Sequence, residues 1–408
     1  MNRSLYFLLA NTVLIISFFH SIKLLSYSIV AFLLLSIIFF FDKRVQTSFH
    51  SLNLKKTACL LLPVIVLLLS MIWTENQKVG WDQILRVAPL ISLPFCGWVQ
   101  GHIVDKTFSS KLISIWLILS TMFSLYGFSI VFFAYEIDYF TSLTFIHIRH
   151  LLQNEILNMH PVYIGLVCGV SSVISFNKVI KKREPYKLLY AIALLINIIT
   201  LLLVSARMPI LATFFCCLIQ IKFNKKTLFF CVLSGLLFFF LTPKVFPGYR
   251  FNEIPQLFSN RAEDKTTNTL STRQNIYSCS IKLIGDKPLI GYGIGDSVDA
   301  IQNCQVMQSE EGRLNSHNQY LEYLLATGIF GFSLFIVYLL SLFKSLRSRD
   351  STFGVVLLAY FTLNMITENI LARTWGVFLF SYPLFIFYFY APLISAPKTR
   401  QRFASRVL

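Results

Sequence analysis

Charge is scarce in this chain. Only 13% of its 408 residues are Asp, Glu, Lys or Arg, and 19 of these are acidic. A chain that is 55% hydrophobic, with a mean hydropathy of +0.65, has too little polar surface to face water, which excludes a soluble fold. CxxC pairs are absent, as is any Cys/His spacing suited to zinc, so no metal and no cofactor is expected. No internal repeat is visible, which counts against transporter folds built from duplicated halves. A nucleic-acid-binding module is also missing. The net charge of +17 is scattered over short loops, and no nucleic-acid partner is expected.

What the sequence has instead is apolar length. Runs able to cross about 30 Å of hydrocarbon recur roughly twelve times. They fall at 5–22, 24–41, 57–73, 84–101, 111–134, 158–178, 187–204, 207–222, 227–243, 318–343, 352–371 and 374–394. The first lacks a small-residue cleavage site and is followed at once by another, so it reads as a retained helix. The expected fold is all-α, a polytopic membrane protein. Its orientation follows from Lys and Arg, which stay on the cytoplasmic side. With the N-terminus inside, 22 of the 36 basic residues lie on inner segments and six on short outer turns or helix ends. Both termini are then inside, and the polar segment 244–317 is a large outer loop between the ninth and tenth helices. The chain divides accordingly into 1–243, 244–317 and 318–408.

In this topology four outward-facing helix starts carry an awkward polar residue. Arg86 opens the fourth helix, Arg207 the eighth, His317 precedes the tenth and Arg373 the twelfth. Helix N-termini present free N–H groups and partial positive charge, which suit phosphate, and a cation there opposes the dipole until an anion arrives. Ser205 can cap the eighth helix, and Asn315 or Ser316 the tenth. Snorkelling to lipid headgroups accounts equally well for Arg86, with Asp82 as a partner, and for Arg373, with Glu368. Arg207 sits in a turn of two or three residues between apolar helices, where function is the better reading. His147, His150 and His160 cluster in another outer loop near Glu155, but His317, at the end of the polar segment, is the better candidate. Within that segment, 271–284 has apolar positions at helical spacing and reads as an amphipathic helix at the interface. A glycine-rich turn, Pro288 to Asp296, follows; without a strand-turn-helix unit around it, it is no dinucleotide fingerprint. Cys279 and Cys304 share this oxidising side, where a disulfide between them is open to them.

The block from Ser271 to Tyr320 resembles the O-antigen ligase and polymerase superfamily. Its marks are Arg273, Pro288-Leu289-Ile290-Gly291-Tyr292-Gly293 and His317-Asn318-Gln319-Tyr320-Leu321. Similar too are Gly328-Ile329-Phe330-Gly331, Ser205-Ala206-Arg207, Ser70-Met71-Ile72-Trp73-Thr74 and Thr367-Glu368-Asn369. The chain departs from that family at Tyr277, where Trp is frequent, and at Ala206, where Ser-Arg pairs are common. The resemblance implies about twelve transmembrane helices with a large periplasmic loop between helices 9 and 10, in the bacterial inner membrane. It implies transfer of a glycan from undecaprenyl diphosphate to an acceptor hydroxyl, lipid A-core for a ligase or a growing glycan for a polymerase. The implied catalytic residue is His317, with Arg207 and Arg273 on the diphosphate. Arg86 is a further candidate there, and His160, Asn318, Arg373 and Glu368 are secondary candidates.

The chemistry suits these residue types. A sugar on a diphosphate already has a good leaving group. The reaction needs a base for the acceptor hydroxyl, and histidine titrates near neutrality at about 6.5. It also needs fixed cations for the departing charge, which the planar guanidinium of arginine supplies in place of a metal. Arginines near His317 are expected to keep its imidazole neutral.

Overall fold

The computed structural model describes residues 3–49, 54–104, 107–134, 151–153, 157–181, 184–221, 269–307, 315–348 and 352–395. Among the described residues every regular element is helical. Seven helices are long and apolar enough to cross a membrane: Arg3–His20, Ile22–Phe40, Gln77–Gly101, Phe108–Ile130, Pro161–Ile180, Lys187–Val204 and Gln319–Ser348. Four shorter apolar helices accompany them, at Ala58–Trp73, Arg207–Gln220, Phe353–Asn364 and Thr374–Ile386. The protein is thus an all-α membrane protein. The ninth apolar run, 227–243, and loop residues 244–268 lie outside the described residues.

The chain forms two compact units. The first comprises Met1–Ile115, Ser278–Phe361 and Met365–Leu408. It opens with α1 (Arg3–His20), α2 (Ile22–Phe40), α3 (Lys43–Phe49), α4 (Leu54–Ser70), α5 (Gln77–Val87) and α6 (Pro89–Gly101). Ser21 caps α2 by accepting from the Leu24 amide at 3.2 Å, and Asn76 caps α5 through the Val79 amide at 3.3 Å. The fourth apolar run proves to be two helices, because Pro89 has no N–H to continue the ladder. Inside this unit α1 packs on α2 and α2 on α6. Asn11 on α1 is buried; its Nδ2 donates to the Phe7 carbonyl at 2.6 Å, and its Oδ1 accepts from the Tyr382 hydroxyl at 2.8 Å. Buried amides among apolar helices persist only when paired in this way.

The second unit comprises Trp116–Tyr277 and Thr362–Asn364. It holds most of α7 (Phe108–Ala134), then α8 (Pro161–Ile180), α9 (Lys187–Val204) and α10 (Arg207–Gln220). Helix α8 is its centre, packed on both α9 and α10. Gly165 lets α8 approach α10 closely, since a Cβ there would press on Ala206 and Pro209. Polar residues tie the helices: Trp116 Nε1 donates to Ser171 Oγ at 3.1 Å, and Asn197 is bonded to Ser124 and Thr121, both at 3.2 Å.

The described part of the polar segment contains α11 (Thr269–Asp286), where a helix was expected, and α12 (Ser297–Met307), which the sequence suggested only as a polar stretch. A disulfide joins Cys279 to Cys304, with a Cα–Cα separation of 5.9 Å, and staples the end of α11 to α12. The chain continues through α13 (Gln319–Ser348), α14 (Thr352–Asn364), a 3-10 turn at Ile370–Ala372 and α15 (Thr374–Ser395). Helix α13 packs on α4, and α15 on α6.

Helix α13 is broken at Gly328, whose φ of 62° and ψ of −167° lie where only glycine is comfortable. A break within a membrane helix frees backbone groups that must find partners. The glycine-rich turn supplies them. The Tyr292 and Gly293 amides donate to the Leu325 and Ala326 carbonyls at 2.8 and 2.9 Å, and the Ile329 amide donates to the Pro288 carbonyl at 2.8 Å. Gly291, at φ 70°, fits because a Cβ would strike the Leu325 carbonyl. The turn also grips the end of α4. The Ile294 amide donates to Ser70 Oγ at 3.2 Å, while Asp296 accepts the Glu75 and Asn76 amides at 2.7 and 2.8 Å. The segments 70–76, 288–296 and 325–330 therefore form one clasp in the first unit.

Candidate active site

At the start of α13 Asn318 is the cap. Its Oδ1 accepts from the Tyr320 and Leu321 amides at 2.9 and 3.2 Å. This corrects the expectation that Asn315 or Ser316 caps the helix. Both side chains point elsewhere: Asn315 Oδ1 accepts from the His317 amide at 3.3 Å, and Ser316 Oγ donates to Glu322 Oε2 at 2.6 Å. His317 sits between them in a left-handed conformation with φ 46°. A residue with a Cβ adopts that region only when its surroundings impose it.

The surroundings are a polar cluster. Asn369 Nδ2 donates to Ser316 Oγ and to Glu322 Oε2, both at 2.9 Å, closing a triangle with the Ser316–Glu322 bond. The Gln319 amide donates to the Met365 carbonyl at 2.9 Å, and Gln319 Oε1 accepts the Leu371 amide at 2.6 Å. The His317 loop is thereby stitched to residues 365–371. Across this seam His317 Nδ1 faces Glu368 Oε2 at 3.5 Å, with the side chains 26% and 15% exposed. The structure thus pairs Glu368 with His317 across the seam.

Across the seam the neighbour of His317 is a carboxylate. An Nδ1–H donated to Glu368 orients the ring and leaves Nε2 as the nitrogen with the free lone pair.

The other candidates fall as follows. Arg207 is the first residue of α10, as expected, and is half-buried. Ser205 does not cap that helix. It ends α9 in a left-handed turn at φ 54°, and Ala206 occupies the cap position without a side-chain bond. Arg273 lies in α11, also half-buried, and with Arg207 belongs to the second unit. Arg86 does not open a helix, which corrects its expected place: it lies in the last turn of α5, exposed, where a cation complements the helix dipole. Arg373 is exposed and opens α15, its carbonyl accepting from the Val377 amide at 3.0 Å. His160 precedes Pro161 at the start of α8, half-buried, its ring 6.2 Å from that of Tyr163. His147, His150 and Glu155 lie outside the described residues.

Sequence reasoning missed Glu322, whose signal was present: a carboxylate within an apolar run marks a functional position by default. It missed Ser316 and Asn369 as a pair, because only folding brings positions 53 apart together.

The helices and this cluster define a helical membrane protein with a histidine–carboxylate pair at the start of a broken helix. Residues 192–336 match the family model described as O-antigen ligase, a span holding Arg207, Arg273 and His317. Over that span the match supports the chain's resemblance to the O-antigen ligase and polymerase superfamily. An uncharacterized protein of Haemophilus influenzae is 26% identical over 196 residues, covering 44% of this chain. The chain matches about half (49%) of the length of that relative.

Proposed function

We propose that the protein transfers a glycan from undecaprenyl diphosphate to an acceptor hydroxyl at the periplasmic face of the bacterial inner membrane, as an O-antigen ligase with lipid A-core as acceptor. The observation that carries this reading is the His317–Glu368 pair at 3.5 Å, in a chain whose residues 192–336 match the O-antigen ligase model. In this reading the acceptor oxygen attacks the anomeric carbon of the donor. The bond from that carbon to the diphosphate oxygen breaks, and undecaprenyl diphosphate leaves with the electron pair. The hydroxyl proton passes to His317 Nε2, and Glu368 stabilises the imidazolium through Nδ1–H. Arg207 and Arg273 hold the diphosphate bidentately and offset its charge, without need of a metal. The amides at the start of α10 add the partial positive charge of a helix N-terminus. Helix α11 lies along the outer interface beside the polyprenyl tail. Both termini are cytoplasmic.

The test is the surface glycan profile of a strain lacking the protein, complemented with wild type or His317→Ala. Wild type should restore full-length glycan, and the variant should reach the membrane yet restore none. Polymer accumulating on undecaprenyl diphosphate, with bare lipid A-core, identifies a ligase. A single repeat on lipid A-core, with loss of long chains, identifies a polymerase of the same superfamily. Rescue by His317→Ala equal to wild type refutes the mechanism, and donor translocation without transfer identifies a lipid-linked oligosaccharide flippase.

A further inference from the structure

The clasp of the first unit ends outward in bare apolar side chains. Leu289 and Ile290, at the tip of the glycine-rich turn, are 69% and 52% exposed. Ile329 and Phe330, whose amides bond to that turn, are 48% and 60% exposed. Ile72, in the clasp segment that follows α4, is also largely exposed. Adjoining apolar side chains of this size mark a contact surface. Cations border it: Lys282, in the last turn of α11, and Lys287 are exposed, and Lys287 Nζ lies 4.6 Å from the centre of the Tyr292 ring. Two helices, packed on each other, give the depth of this surface. Their basic ends mark one boundary of the bilayer. The helical rise from Lys344 back to Gly328 in α13 is about 24 Å. From Lys56 to Ser70 in α4 it is about 21 Å. Both fall short of a hydrocarbon layer of about 30 Å, so the clasp lies just inside the layer's far edge.

We propose that the tip of the glycine-rich turn, with Ile329 and Phe330, is seated among phospholipid acyl chains in the leaflet far from Lys344, and that Lys282 and Lys287 meet the phosphates of that leaflet. Opposite charge at the headgroups and apolar contact below them match the order of these residues along the chain. Irregular backbone enters hydrocarbon only when its polar groups are bonded within the protein. Here the Lys287, Pro288 and Leu289 carbonyls accept the Gly291, Ile329 and Phe330 amides at 3.2, 2.8 and 3.4 Å, and the Tyr292 and Gly293 amides are taken by α13. The seat fixes the height of the clasp in the bilayer, and with it the height at which α13 starts. It stands independently of the glycan-transfer reading.

The experiment places a dansyl amino acid, by amber suppression in the full chain, at Leu289, Ile290, Leu340 or Gly285, one at a time. Each protein is purified and set in nanodiscs of phosphatidylethanolamine and phosphatidylglycerol. All four positions are exposed, so the label displaces no packed side chain. Leu340, far along the second half of α13, is the reference for lipid, and Gly285, between the two lysines, is the reference for the aqueous boundary. Emission from positions 289 and 290 should be blue-shifted like that from 340. It should be lost to lipids carrying a doxyl quencher near the headgroup, less to a quencher deep in the chain, and not to iodide. Quenching by iodide as strong as at position 285 overturns the proposal. Protection from both quenchers also overturns it, because another protein surface then covers the turn. Relief of doxyl quenching on adding undecaprenyl phosphate overturns phospholipid as the occupant and assigns the patch to a polyprenyl chain.

Discussion

Replacing Gly328 by alanine tests the clasp on which the His317 geometry depends. Gly328 holds φ 62° and ψ −167° at the break in α13, a region that costs a residue with a Cβ about 1–3 kcal/mol. The added Cβ would also meet the backbone of Leu289 and Ile290, which no rotamer change can move away. Relief requires the glycine-rich turn to back off, weakening the Ile329–Pro288 and Tyr292–Leu325 hydrogen bonds, each worth about 1 kcal/mol. The combined destabilisation is about 3–5 kcal/mol. Gly285→Ala is the internal control: it lies in α11, a Cβ there meets nothing within 4 Å, and it should stabilise by about 0.5–1 kcal/mol. Thermal unfolding of both variants in detergent, followed by intrinsic fluorescence, reads the difference. Gly328→Ala should melt well below wild type and Gly285→Ala at or slightly above it. A Gly328→Ala protein that melts with wild type and retains its transfer rate would refute the claim that the break is required.

Three further expectations bear on the site and its frame. Glu368→Gln keeps the shape but loses the charge that stabilises the imidazolium, so glycan transfer should fall about tenfold to hundredfold in kcat with KM little changed; an unaltered kcat contradicts the pairing. Arg207→Lys should transfer poorly because a point charge cannot reproduce a bidentate fork, and wild-type rates there would favour headgroup snorkelling. Cys279 and Cys304 should resist maleimide until reduced, and Cys279→Ser should expose Cys304 while lowering stability by up to about 3.5 kcal/mol, the chain-entropy ceiling for a 25-residue separation; two thiols labelled without reduction would exclude the bond.

The helices were legible because their cause is local: apolar length and periodicity read off directly, as for 187–204 and the helix over 271–284. The division of 84–101 by Pro89 was also local and readable in principle. Caps were less so. Asn318 outcompeted Asn315 and Ser316 because the latter two found partners in the His317 amide and in Glu322, and the Glu322 contact exists only once the chain is helical. Arg86 was misplaced because α5 begins at Gln77, well before the apolar run, so the arginine falls at a helix end instead of a start. Helix α12 was missed because Ile301 and Cys304 at helical spacing are diluted by Gln302, Asn303 and Gln305. Glu368 stood among the candidates, but its pairing with His317, and that of Asn369 with Ser316, was not legible, since both stand more than fifty residues downstream.

The glycines of 288–296 and Gly328 have a joint meaning that neither segment shows alone. Read separately, one is a polar turn and the other a flaw in an apolar helix. Together they are complementary halves: the break exposes the Leu325 and Ala326 carbonyls and the Ile329 amide, and the turn offers groups at matching positions. The first half of α13, from Gln319 to Thr327, is thereby freed from the direction of the long second half and fixed by the clasp and the Met365–Leu371 seam. That short half carries Asn318 as its cap, Glu322 on its face and His317 just before it. A continuous helix through position 328 would aim those residues along the axis of Ile329–Ser348. The break lets the site be oriented by its own contacts, and preorganisation of this kind limits how far a base departs from the line of proton transfer. Loosening the clasp should therefore lower kcat more than it alters the affinity for either substrate.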